Sequence, residues 1–173
     1  MGVGKTALVQ SIAERLHAER RYSYACFFFG RGVVGCDNLD QLFSTLAYQF
    51  AINTAGIRQH IEQAIVEDPA LPMKSAATQL QKLIIDPFKL LPAPCPSPIL
   101  IIEGFDECEE IQDTFLGLIS EILLDRTVRM RFIISGISDR KYESMYHNRL
   151  VLGSIVLDHI DKFYRTALFF FFR

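Results

Sequence analysis

The chain has 173 residues, half of them hydrophobic and 22% charged, with a formal net charge of −2. That length and apolar content suit one domain with a sizeable core and exclude a disordered tail, while the near-balanced charge leaves no footprint for nucleic acid or an anionic membrane. Cys26, Cys36, Cys95 and Cys108 show neither C-x-x-C spacing nor His partners at zinc-like intervals. They read as reduced thiols of a cytoplasmic protein, and the sequence offers neither a signal peptide nor an apolar run long enough to span a bilayer.

In chain order, the first feature is Met1-Gly2-Val3-Gly4-Lys5-Thr6, the Gly-Lys-Thr end of the pattern G-x-x-x-x-G-K-[ST]. In such a loop the backbone N–H groups wrap phosphates, the Lys reaches the terminal phosphates and the Thr hydroxyl ligates Mg²⁺. The positive end of the following helix dipole adds to this. Gly2, Val3, Gly4, Lys5, Thr6 and Ala7 are therefore the expected nucleotide-binding residues, with Thr6 on the metal. The pattern's first Gly, and the strand that normally feeds the loop, would precede Met1. Two other readings fit the same residues. One is N-myristoylation at Gly2, although nothing supplies the second signal that stable anchoring needs. The other is a plain Gly-rich turn.

Leu8, Ile12 and Leu16, backed by Val9 and Ala13, predict a helix from Lys5 to about Arg20. Tyr24 to Phe29 reads as a short buried strand, ended by Gly30-Arg31-Gly32. After the N-cap candidates Asp37 and Asn38, the residues Leu39, Leu42, Phe43, Leu46, Ala47 and Phe50 fall on one helical face, a core stripe rather than a ligand site. Further helices are expected over 57–66 and 75–85. The Pro-rich stretch 92–98 forces an extended linker, since each Pro also biases its predecessor away from helix.

The linker leads into Ile99-Leu100-Ile101-Ile102-Glu103-Gly104-Phe105-Asp106-Glu107-Cys108. Its four large apolar residues predict a strand buried on both faces, and its carboxylates fall where the strand stops. In an open α/β sheet that is where ligands bind. The segment looks like a Walker B element. Glu103 is then the Mg²⁺ ligand, and Asp106, or else Glu107, orients a water toward the γ-phosphate. An acidic loop capping the helix that follows is the plain alternative. His17, His60, His147 and His159 are scattered and read as surface or helix-end residues. Cys108, surrounded by carboxylates, resists ionisation and is assigned no nucleophilic role.

Taken together, Gly-Val-Gly-Lys-Thr, Phe27-Phe28-Phe29, the run Leu42 to Gln49, and Ile-Ile-Glu-Gly-Phe-Asp-Glu-Cys resemble the NACHT-type P-loop NTPase domain. The likeness is strongest to the nephrocystin-like N-terminal version found in large fungal signalling NTPases of the STAND class, and it runs from about Gly2 to Ser135. It implies a three-layer α/β P-loop fold over 1–167 with a mostly parallel sheet. It also implies a helical insertion between the second strand and the Walker B strand, and an irregular apolar tail over 168–173. The implied ligands are ATP, or less readily GTP, with Mg²⁺. The family acts as a switch between sensor and effector regions.

Three departures stand out. Glu103 replaces the usual Asp, one methylene longer. After the sensor-like strand Arg131–Ser135, Ile137 stands where an Arg would approach the γ-phosphate, and an Ile supplies no charge to a transition state. The family's first strand, normally central between the sensor strand and the one after it, is absent from the sequence as given, which would open two unpaired rows of backbone groups. Arg149 to Leu157 is expected as a last strand, and 158–165 as a short helix.

Two functions follow. One is an Mg²⁺-dependent nucleotide-binding NTPase switch. The other is a non-catalytic truncated remnant or decoy that works through protein contacts, by self-association or with full-length NACHT relatives.

Overall fold

A computed structural model describes residues 5–19, 22–30, 32–33, 39–93, 95, 97–125, 130–135, 151–157 and 167–172. Its framework is a set of short strands that are apolar on both faces. β1 (Tyr24–Phe28), β2 (Ile99–Glu103) and β3 (Arg131–Ser135) run parallel, with Tyr24 opposite Ile99 and Ile99 opposite Arg131. All five residues of β2 are buried, as a strand covered on both sides requires.

Alternation along the strands sends Ile99, Ile101 and Ile133 to one face. There they meet Val9, Leu8, Ile12, Ala13 and Leu16 of α1 (Lys5–Glu19). Leu100, Ile102, Phe132 and Ile134 go to the other face. That side is covered by α2 (Leu42–Asn53), through Leu42, Phe43, Leu46 and Phe50, and by α6 (Gln112–Asp125), through Phe115 and Ile119. Helix, sheet and helix form three layers, so the expected α/β class is present, but the sheet expected to be mostly parallel is parallel only across β1, β2 and β3.

The helices between β1 and β2 form the expected insertion. α3 spans Arg58–Glu67, and the next helix begins as α4 (Ala76–Gln79), with Ser75 as its N-cap accepting from the Thr78 amide at 3.4 Å. This helix does not stop near Ile85. It widens into a π-helical stretch, Leu80–Ile85, and continues as α5 (Asp86–Lys89), crossing Pro87. Proline lacks an N–H and crowds the carbonyl four residues earlier, and a wider turn ahead of it relieves both problems. The buried Gln79 ties the insertion together. Its Nε2 lies 2.9, 3.1 and 2.8 Å from the carbonyls of Asp40, Pro72 and Lys74.

The C-terminal part departs most from expectation. β4 (Val151–Leu157) falls where the last strand was expected, but Ala167–Phe172, expected as irregular, is a further strand, β5. The sheet order is β1-β2-β3-β5-β4. β5 runs antiparallel to both neighbours, with Phe132 opposite Phe172 and Leu157 opposite Ala167. The central place expected to stand open is therefore held by a strand of reversed direction. The free edge of β3 needs hydrogen-bond partners, and a segment of consecutive Phe residues has high strand propensity. The helix expected over 158–165 lies outside the described residues. Among the described residues no helix is long and apolar enough to cross a membrane.

Candidate functional site

β2 carries the site's centre. Because Ile99 and Ile101 face α1, Glu103 two residues on faces it too, and the first turn of α1 lies over the carboxyl end of the strand. Thr6 Oγ1 donates to Glu103 Oε1 at 2.7 Å, joining residues 97 apart in sequence. Glu103 is buried and Thr6 is exposed. The pair presents hydroxyl and carboxylate oxygens at the opening turn of a long helix, a hard-oxygen donor set of the kind Mg²⁺ accepts.

Beyond Glu103 the chain turns sharply. Gly104 sits at φ +73°, and a Cβ there would lie 2.5 Å from the Phe29 carbonyl oxygen. Only glycine tolerates both the left-handed backbone and the close approach. On the same crossing, the Phe29 amide donates to the Glu103 carbonyl at 2.8 Å, which fixes the ends of β1 and β2 together. A 3₁₀ turn, Phe105–Glu107, follows and holds the two further acidic candidates. Phe105 is fully buried, its ring 5.8 Å from Phe29 and 5.1 Å from Phe115, whereas Asp106 is half-buried and Glu107 exposed. The turn is closed by the Glu107 amide donating to the Gly104 carbonyl at 2.9 Å.

Two polar side chains that sequence reasoning passed over belong to this region. Gln112, buried in the first turn of α6, donates through Nε2 to the Phe105 carbonyl at 2.6 Å and so pins the acidic turn from below. Ser135 ends β3. Since Ile102 pairs with Ile134, it stands next along from Glu103, on the face shared with Ile133. Its hydroxyl is fully buried and has no hydrogen-bond partner among the described residues. The signal for Ser135 was present in the sequence, as the one polar residue closing an apolar strand. Gln112 gave none, because a Gln at a helix start is commonplace.

The structure thus brings Thr6 and Glu103 together and sets Asp106 and Glu107 on the adjoining turn. Lys5 opens α1, and Ala7 follows Thr6 in the same turn, its carbonyl accepting from Ser11 Oγ at 2.9 Å. Gly2, Val3 and Gly4 lie outside the described residues, as does Ile137. A cavity of about 250 Å³ elsewhere is lined mainly by apolar residues of α2 and α3, among them Tyr48, Ile52, Ile61 and Ile65, and its two charged lining residues, Arg58 and Glu62, pair with each other at 2.7 Å. Among the described residues no group of three or more His, Cys, Asp or Glu side chains converges on one point.

No curated protein and no solved structure matches the chain. A family model described as Nephrocystin 3, N-terminal matches residues 1–136, which include every residue of the site just described. The chain belongs to the nephrocystin 3 N-terminal family.

Proposed function

We propose that this domain binds a nucleoside triphosphate with Mg²⁺ and serves as a P-loop switch of the NACHT type. One observation carries the reading: the 2.7 Å hydrogen bond between Thr6 and Glu103. A Gly-Lys-Thr segment and a carboxylate at the end of a buried strand are each common, and their meeting across 97 residues is what a phosphate-and-metal site requires.

In this reading the amides of Gly4, Lys5 and Thr6 and the Lys5 ammonium hold the β- and γ-phosphates. Thr6 Oγ1 and the Glu103 carboxylate hold the metal, whose bound charge offsets that of the phosphates. Asp106 orients water, with Glu107 as the second candidate. ATP is the first candidate and GTP the second, since no motif marks the base. Ile137, lacking the charge of the usual Arg, favours binding over rapid turnover.

The test is equilibrium binding of a fluorescent ATP analogue with and without Mg²⁺, beside Lys5→Ala and Thr6→Val. Mg²⁺-dependent binding that falls at least about tenfold in both variants supports the reading, since each lost contact removes about 1.4 kcal/mol or more. Equal, Mg²⁺-independent binding by all three proteins rejects it. Phosphate release then separates a slow NTPase from a non-catalytic binder, and competition by GTP decides the base.

A further inference from the structure

β1 is an outer strand of the sheet, and the direction of its backbone groups can be read from its bonds to β2. The Ile99 amide donates to the Ser23 carbonyl, and the Phe29 amide to the Glu103 carbonyl, so odd-numbered residues face β2. Tyr24, Cys26 and Phe28 therefore turn their N–H and C=O groups outward. Such an edge is a template for pairing with another strand.

At its midpoint the template is occupied. Gln49, on α2, accepts from the Cys26 amide at 2.8 Å through Oε1 and donates to the Cys26 carbonyl at 2.8 Å through Nε2. One side-chain amide thus makes both bonds that a neighbouring strand would make. On either side, the outward main-chain groups of Tyr24 and Phe28 have no partner among the described residues. The Phe28 side chain is itself 42% exposed.

We infer that Gln49 is a strand mimic guarding a self-association surface, whose partner is β1 of a second copy. The geometry favours an identical strand. In an antiparallel arrangement with its two-fold axis at Cys26, the Cys26 residues exchange both bonds, and Tyr24 of each copy faces Phe28 of the other, so every outward group is satisfied. The guard holds the central position of that arrangement. While Gln49 is bound, the pairing loses its two middle bonds and meets the side chain sterically. The nucleotide reading plays no part in this inference.

The test uses the full chain. Gln49→Met keeps side-chain length but neither bond, and sedimentation velocity is expected to show a concentration-dependent dimer beyond any association of the wild type. Adding Phe28→Lys to Gln49→Met is expected to reverse it, because edge lysines oppose strand pairing. No new dimer in Gln49→Met overturns the inference, and so does a dimer that Phe28→Lys leaves intact. A wild-type measurement keeps the matter decidable if Gln49→Met fails to fold. The Cys26 amide is expected to exchange hydrogen at least about tenfold more slowly than those of Tyr24 and Phe28, and equal exchange at all three overturns the guard.

Discussion

At the scale of single residues, Glu103 and Gly104 show how closely stability and chemistry are opposed at the end of β2. A buried carboxylate whose side-chain partner among the described residues is the Thr6 hydroxyl is a costly group in a fold, and in the proposed reading the bound metal offsets that cost. Glu103→Gln is therefore expected to leave the metal-free melting temperature unchanged or higher while abolishing Mg²⁺-dependent nucleotide binding. Thermal unfolding with and without Mg-ATP reads both. Gly104→Ala should be purely damaging. The left-handed backbone and the 2.5 Å approach to the Phe29 oxygen are expected to cost at least about 2 kcal/mol, seen in denaturant titration. Cys26 supplies a pH dependence. Burial pushes its thiol up to about 11, above its value in an unfolded chain. The folded state thus holds this proton more tightly. The contribution is fully present below about pH 8.5, is lost as pH rises toward the folded value, and should vanish in Cys26→Ala. Alkaline unfolding curves of the two proteins are expected to diverge in that window.

At the scale of elements, the acidic turn illustrates how the site is held by groups that carry no chemistry. Phe105 fills the core beneath the turn, and Gln112 reaches from α6 to the Phe105 carbonyl. Gln112→Leu removes the buried bond to the Phe105 carbonyl, at a cost of about 1 kcal/mol. Hydrogen exchange should locate the damage, with the Glu107 amide exchanging faster and the β2 amides little changed. Helices and strands of this core were largely legible in the sequence because their apolar spacing was clear. Lys5 to about Arg20 became Lys5–Glu19, and the strands over Tyr24, Ile99 and Arg131 fell where alternation and apolar runs put them. The helix from Ser75 was misjudged at its far end, because a proline reads as a stop unless a π turn precedes it, and that accommodation has no sequence signature.

At the scale of the whole molecule, the sheet depends on β5, which bridges β3 and β4. Removing residues 167–173 uncovers the edge of β3, and the shortened chain is expected to aggregate or self-associate at concentrations where the full chain does not, as light scattering would show. Its apolar sequence hid this role, since a run of Phe matches many strand positions and names none. The sequence by itself determined the α/β class, the buried parallel strands and the residue types suited to phosphate and metal, because periodicity and side-chain chemistry are local properties. Tertiary structure alone decided that Thr6 meets Glu103, that Gln49 bonds the middle of the β1 edge at Cys26 and that β5 lies reversed in the sheet. Each of these is a contact between distant parts of the chain, fixed by how strands order and which faces they bury, and no local pattern encodes it.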